Sequence, residues 1–143
     1  MSDPLYAKDL LRLAANAVGA GRLDRFDVEG HAYNPTCGDK VSVTLRLDEQ
    51  RRVTAMAHET SACVLAQASA SILGAQLSGT DRRRVQDLRE AVATMLQDGR
   101  PPPAPFADYA ALNGAAPYRN RHTCVLLPID AVLSALETDQ RTG

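Results

Sequence analysis

Lys40-Val-Ser-Val-Thr-Leu-Arg-Leu47 alternates polar and branched apolar residues without interruption. Successive side chains of a strand point to opposite faces, so this period of two predicts a strand with one buried and one exposed face. Weaker patterns of the same kind predict strands over residues 25–32 and 52–58, and little chain separates the three. Such close spacing predicts an antiparallel meander.

Helical spacing of apolar residues predicts helices over residues 4–18, 63–77, 81–97, 108–112 and 127–136. A chain of 143 residues fits one domain, and too little chain follows its proline-rich loop to build a second core. The sequence therefore predicts a single α+β domain over residues 1–143. We expect a small three-stranded antiparallel sheet packed with about four to six helices.

The charges are balanced, with 16 basic and 17 acidic side chains and a net charge of −1, so no electrostatic footprint for nucleic acid is present. Arg82-Arg-Arg84 is interpreted as a solvated helix face or as part of a partner-docking surface. No apolar run reaches the roughly 18 residues of a membrane span, and Met1-Ser-Asp-Pro4 lacks the layout of a secretory signal. We expect a cytoplasmic protein that binds neither nucleic acid nor membranes.

Three cysteines, Cys37, Cys63 and Cys124, are far apart and form no Cys-x-x-Cys pair. An odd number in a chain expected in the cytoplasm argues against a disulfide framework. Asn34-Pro-Thr-Cys-Gly-Asp39 lies between two predicted strands, and its turn residues place Cys37 at a loop tip with Asp39 two positions on. A thiolate and a carboxylate suit zinc or iron, although a cysteine in a turn is often incidental.

Cys63 falls in the first turn of a predicted helix, after the candidate cap residues Thr60 and Ser61. The dipole and free N–H groups of a helix N-terminus favour an anion and lower the pKa of a thiol. That position suits a metal ligand or a nucleophile. The alternative is a structural cysteine buried among small residues.

Cys124 is predicted to lie at the end of a loop over residues 114–123, just before a last helix that carries Pro128 in its first turn. Arg119 and Arg121 precede the cysteine and favour its thiolate form. The apolar residues that follow it favour burial instead.

The histidines show no metal-ligand spacing. His31 and His58 are interpreted as ordinary strand residues. His122 is the one histidine near a cysteine in sequence and is therefore a candidate ligand or proton carrier. The sequence contains no Walker loop, no GxGxxG and no GxSxG, so phosphate-loop and serine-hydrolase functions have no support.

Three segments occur together in an order that matches one family. They are the loop Asn34-Pro-Thr-Cys-Gly-Asp39, Cys63 followed by a helix of small residues, and Arg121-His-Thr-Cys124. In these segments the chain resembles the IscU/NifU-like iron–sulfur cluster assembly scaffolds. The 60 residues between Cys63 and Cys124 resemble the SufU-like branch, whose members bind zinc through three cysteines and the aspartate and accept sulfur from a cysteine desulfurase.

The resemblance implies that Cys37, Asp39, Cys63 and Cys124 hold the metal, and that Cys37 and Cys63 are the candidate persulfide acceptors. It implies a transient [2Fe-2S] cluster or iron, alternatively Zn2+, with a cysteine desulfurase and recipient apoproteins as partners. Thr123 stands where the family carries a histidine or a basic residue, so Asp39 is a better fourth ligand than a histidine. The family's Leu-Pro-Pro-Val-Lys chaperone motif is absent, and the first helix lacks its His-Tyr and Asn-Pro-Arg. These departures imply that the chain resembles a divergent member of the family.

Three functions compete. The first is a non-enzymatic scaffold that binds iron or a transient [2Fe-2S] cluster and hands it to apoproteins. The second is a zinc-dependent sulfur acceptor for a cysteine desulfurase, with sulfurtransferase activity. The third is a module with a structural metal or none, expected if the three cysteines are buried and mutually distant. We expect a monomer or weak dimer.

Overall fold

The computed structural model describes residues 8–35 and 38–137. Its sheet contains the strands β1 (Val28–Asn34), β2 (Asp39–Leu47) and β3 (Val53–Ser61), in the spatial order β1-β2-β3. Both pairings are antiparallel. The predicted meander is therefore confirmed, with β1 beginning and ending later than expected and β3 extending further toward Cys63.

The alternating apolar side chains of the central strand, β2, are buried as the sequence pattern predicted. Val41, Val43 and Leu45 are buried in the core. Thr44 is buried on the opposite face, where its hydroxyl oxygen accepts a hydrogen bond from the N–H of Leu23 at 3.1 Å. The connector between the first helix and β1 thus covers part of the face that the sequence pattern marks as polar.

Backbone contacts tie the end of β1 to the start of β2. Asn34 pairs with Asp39 across the sheet, and the N–H of Gly38 donates to the carbonyl oxygen of Asn34 at 2.8 Å. Gly38 has a φ of +73°, a left-handed conformation that strains residues with a side chain. These contacts hold Asp39 as the first residue of β2.

Five helices complete the described fold, which agrees with the predicted range and with the α+β class. They are α1 (Lys8–Asn16), α2 (Val64–Gln76), α3 (Arg82–Asp98), a 3-10 helix (Ala107–Ala115) and α4 (Arg119–Glu137). In the ranges that the structure describes, no helix combines the length and the apolar character needed to cross a membrane.

The helices pack on one another and on the sheet through small residues. α4 lies against β1 and β2, and α2 contacts α1, β3 and α4. A side chain at Gly30 of β1 would overlap the backbone of Ala131 and Ala135, so α4 rests directly on the strand. Five of the small residues of α2 are buried, which confirms that small residues let this helix pack closely; they are Ala66, Ala68, Ser69, Ala70 and Ser71.

α1 is shorter than predicted within the described residues. It ends at Asn16 because Ala17 adopts a φ of +46°, which an α-helix cannot continue. The predicted helix start at residues 4–7 lies outside the described residues.

The start of α4 contradicts the sequence prediction. We expected a loop over residues 114–123 and Pro128 in the first turn, but the helix begins at Arg119 and Pro128 lies inside it. The polar residues of the first turn show no apolar periodicity, so sequence alone gave no sign that they are helical. Cys124 is consequently a helical residue and not part of a loop.

The cap of α2 also differs from the prediction. Thr60 and Ser61 belong to β3, and Cys63 itself is the N-cap residue, with φ −68° and ψ 170°. Its side chain makes no capping hydrogen bond. The thiol therefore stays available at the N-terminus of the helix.

Candidate metal centre

Three elements that are distant in sequence bring Asp39, Cys63 and Cys124 together. The Asp39 carboxylate oxygen and the two Sγ atoms all lie within 4.8 Å of one another. Among the residues that the structure describes, this is the one group of three or more acidic, thiol or imidazole side chains arranged to hold an ion. Its members are three of the four residues predicted as metal ligands.

Asp39 is held by the sheet. It is the first residue of β2, paired with Asn34, and only 7% exposed. Burial of a carboxylate is unfavourable unless it is paired, hydrogen-bonded or bound to a cation. Its Oδ2 accepts a hydrogen bond from the Cys124 thiol at 3.4 Å. The carboxylate is thus aimed at the thiols and not at solvent.

Cys63 connects β3 to α2 and is partly buried. The N-cap position places its Sγ beside the positive end of the helix dipole, which favours an anionic ligand. The predicted location at a helix N-terminus is confirmed, one position earlier than expected. The side chain keeps access to solvent.

Cys124 lies on α4 and is 0% exposed. Burial raises the pKa of this thiol above its ordinary value, and the neighbouring Cys63 and Asp39 add to the effect. The prediction that Arg119 and Arg121 favour the thiolate is not supported, because burial, Cys63 and Asp39 all raise the pKa of Cys124. The thiol donates to the Asp39 carboxylate.

Cys37, the remaining predicted ligand, lies outside the described residues. Its position in sequence is two residues before Asp39, between Pro35 and Gly38, which are both described. Its part in the site stays a prediction.

The donor set fits a thiophilic cation. Zinc forms bonds of roughly 2.3 Å to sulfur and 2.0–2.2 Å to carboxylate oxygen, which puts the ligands of a tetrahedral site about 3.5–3.8 Å apart. The donor atoms, which lie within 4.8 Å of one another, need only small side-chain rotations to reach that geometry. Two thiols with one carboxylate suit zinc or iron and do not suit magnesium or calcium.

His122 is directed away from this group. Its Nε2 donates to the carbonyl oxygen of Ala116 at 2.9 Å, at the N-terminal end of α4. This bond supports the interpretation that Asp39, and not a histidine, is the better fourth ligand. His31 and His58 lie on β1 and β3, as the sequence predicted.

Residues 5–125 match the family described as the NifU-like N terminal domain, a match that covers most of the chain. The chain belongs to the NifU-like N-terminal domain family. The resemblance drawn from the three cysteine segments is thereby confirmed.

Relatives of this NifU-like chain are similar over most of its length. The N-terminal NifU-like protein of Brucella abortus is 31% identical, with a TM-score of 0.89 over 99% of this chain and 98% of that one. A candidate iron–sulfur cluster assembly scaffold for the SUF system from Fervidobacterium islandicum AW-1 shares the fold, with a TM-score of 0.79 over 95% and 99% of the two chains, at 19% identity.

A curated relative is the iron–sulfur cluster assembly scaffold protein IscU of Streptococcus pyogenes serotype M1. It is 28% identical over 106 residues, which are 73% of this chain and 65% of that protein. The NifU-like chain thus aligns with just under two thirds of this relative's length.

Sequence reasoning missed a buried hydrogen-bonded pair that reaches the residue after Cys124. Ser69 and Tyr109, both fully buried, form a hydrogen-bonded group next to Cys124. The available signal was a pair of serines in an alanine-rich helix, where alanine is the better helix former.

Proposed function

We propose that this chain is an iron–sulfur cluster assembly scaffold that binds iron or a transient [2Fe-2S] cluster and hands it to recipient apoproteins. The observation that carries the proposal is the convergence of Asp39, Cys63 and Cys124 within 4.8 Å at the end of the sheet. Cys37 is the proposed fourth ligand, by its position in the same loop as Asp39. Family membership supports the same function.

The ligand set accounts for a cluster that is held and then released. Stable iron–sulfur clusters are normally ligated by four cysteine thiolates. A carboxylate is a harder donor than a thiolate and binds such a cluster less tightly. Replacing one thiolate by Asp39 is therefore expected to shorten the lifetime of the cluster, as hand-off requires.

The alternative is a zinc-dependent sulfur acceptor for a cysteine desulfurase. The observation in its favour is the partial exposure of Cys63, which contrasts with the complete burial of Cys124. In this mechanism the thiolate of Cys63, or of Cys37, attacks the outer sulfur of the desulfurase persulfide. The sulfur–sulfur bond breaks and its electron pair leaves with the desulfurase cysteine as a thiolate.

The third hypothesis, a module with mutually distant buried cysteines, loses its main support. Cys63 and Cys124 adjoin one another, and Cys63 is not fully buried.

Anaerobic reconstitution tests the proposal. The protein is incubated with ferrous iron, cysteine, a cysteine desulfurase and dithiothreitol, which reduces the persulfide sulfur to sulfide. It is then mixed with an apo-ferredoxin whose visible circular dichroism reports the cluster it receives. We expect the wild type to assemble and transfer a cluster, Cys63→Ser to do neither, and Thr123→Ala, which alters an exposed neighbour of Cys124, to behave as wild type. A wild-type chain that forms a persulfide in the presence of zinc but never a cluster would establish the alternative instead.

A further inference from the structure

Two serines of α2 are fully buried where alanine would favour the helix more. Ser69 and Ser71 lie two positions apart in an alanine-rich segment. A buried hydroxyl is unfavourable unless it forms a hydrogen bond, so each serine is expected to have a partner. The two hydroxyls reach different parts of the molecule.

The hydroxyl of Ser69 connects the two helices whose ends carry the metal-site cysteines. It donates to the carbonyl oxygen of Val125 on α4 at 2.8 Å, one residue after Cys124. Ser69 itself is less than two turns after Cys63 on α2. A single buried hydrogen bond thus spans the helices close to both sulfur atoms.

Tyr109 of the 3-10 helix completes the group. Its hydroxyl lies 2.8 Å from the Ser69 Oγ and 3.3 Å from the Ser69 carbonyl oxygen. Because the single proton of Ser69 is directed to Val125, the tyrosine hydroxyl donates to Ser69. Tyr109 therefore orients the serine, while the serine contacts α4.

The Ser69–Val125 hydrogen bond lies at a turn of α4 that has lost one of its helical hydrogen bonds. Pro128 has no N–H, so the helical hydrogen bond that would end on the carbonyl oxygen of Cys124 is missing. A proline inside a helix bends it at the preceding turn. The turn that carries Cys124 therefore depends on contacts from outside α4, and Ser69 supplies one of them.

We propose that Ser69 is a positioning residue for the metal site. Through its hydrogen bond to the Val125 carbonyl oxygen, Ser69 sets the position of the Cys124 thiol relative to the Cys63 thiol. The proposal rests on the proposed metal-binding role of the two cysteines. Ser69 contacts no metal ligand side chain in the described structure, and its effect passes through the backbone of α4.

Ser71 offers a matched control on the same helix. Its Oγ accepts a hydrogen bond from the N–H of Val18 at 3.0 Å, in the connector after α1, and within the described residues it forms no hydrogen bond to α4. Ser71→Ala removes the same buried group from the same helix as Ser69→Ala. A comparable loss of unfolding free energy is expected from both substitutions.

The test compares cobalt and zinc binding by the wild type, Ser69→Ala, Ser71→Ala and Tyr109→Phe. Cobalt absorption reports the geometry and thiolate number of the site. We expect Ser69→Ala to shift the cobalt absorption bands and to weaken the binding of both metals by about three- to tenfold. This effect is smaller than the one expected from removing a residue that hydrogen-bonds directly to a metal ligand. Ser71→Ala is expected to retain the wild-type spectrum, and Tyr109→Phe, which removes the hydroxyl that orients Ser69, is expected to shift the bands less than Ser69→Ala does. Equal effects of Ser69→Ala and Ser71→Ala, or no effect of Ser69→Ala, would overturn the proposal.

A metal-free measurement separates this proposal from the proposed function. In a Cys37→Ser background, dibromobimane becomes fluorescent only when it bridges Cys63 and Cys124. We expect Ser69→Ala to slow bridging by about threefold relative to Ser71→Ala, because the effective concentration of one thiol at the other falls. If the wild type binds no metal, the proposed function fails, and the bridging rates alone decide the positioning role. Equal bridging rates would then contradict it.

Discussion

Asp39 makes the proposed site different from an all-cysteine one. Its carboxylate is buried and faces the thiol of Cys124, so it is placed to act as a ligand and not as a surface charge. If it ligates the cluster, it does so as the hardest donor of the set. Substitution of Asp39 should therefore change the lifetime of a bound cluster.

Asp39→Ala should lengthen the lifetime of a reconstituted cluster by roughly fivefold or more. The carboxylate is the weakest protein donor, and the substitution removes its competition with the cysteine thiolates for iron. Loss of the visible absorption in the presence of a chelator gives the lifetime. Asp87→Ala, which removes an exposed carboxylate on α3, serves as the control. A lifetime that stays the same or becomes shorter would exclude this role for Asp39.

The two described cysteines should also differ in reactivity. Cys63 is partly exposed, whereas Cys124 is buried and its pKa is raised, and alkylation requires an accessible thiolate. In metal-free protein near neutral pH, iodoacetamide should modify Cys63 at least about tenfold faster than Cys124. Mass spectrometry of the corresponding peptides measures both rates. Faster labelling of Cys124 would show that its burial is not maintained in solution.

At the scale of elements, the sequence predicted what periodicity encodes. Val41, Val43 and Leu45 alternate with polar residues, and β2 is a strand with these side chains in the core. The first turn of α4 has no such pattern, and Pro128 resembles a helix start because proline is common there. Contacts with β1, β2, α2 and α3 hold α4 as one long helix in spite of the proline. Such tertiary contacts have no signature in the local sequence.

His58 ties β3 to the connector after α1, a contact that the sequence did not predict. Its Nε2 donates to the carbonyl oxygen of Val18 at 2.9 Å, and its Nδ1 accepts from the hydroxyl of Thr60 at 2.9 Å. The ring is 4% exposed. Burial lowers the pKa of His58 below its ordinary value, with the bond to Val18 opposing the shift.

This lowered pKa predicts a loss of stability in mild acid. The unfolded chain binds a proton to His58 at higher pH than the folded chain does, so the contribution of the neutral ring is complete above about pH 6.5 and declines as the pH falls toward the folded pKa. His58→Gln should lower the unfolding free energy by about 1–3 kcal/mol at about pH 7.5 and flatten its pH dependence. Urea denaturation of the metal-free protein at about pH 7.5 and about pH 5.5 measures both effects. The exposed His31→Gln is the control, and an equal flattening by that variant would contradict the assignment.

At the scale of the molecule, the proposed metal links parts of the chain that are remote in sequence. Asp39 begins β2, Cys63 precedes α2 and Cys124 lies within α4. The sequence could name these residues because three segments together, in this order, resemble the scaffold family; each segment by itself was a weak signal. It could not show that the three atoms converge, because convergence depends on how α4 and the sheet pack.

Metal should therefore stabilise the whole fold. Zinc at about 100 times its dissociation constant is expected to add about 2.7 kcal/mol, which corresponds to a rise in Tm of about 8 °C for a chain of this length. Scanning calorimetry with zinc and with excess chelator measures the difference. Cys124→Ser should abolish the rise, and an unchanged rise in that variant would place the metal elsewhere.

The central claim is most directly tested by the iron, zinc and acid-labile sulfide content of protein purified without oxygen. The scaffold account predicts iron and sulfide in about equal amounts with visible absorption, and their loss in Cys63→Ser. About one zinc per chain without sulfide, in protein that also fails to take up iron and sulfide during reconstitution, would contradict it and favour the sulfur-acceptor alternative.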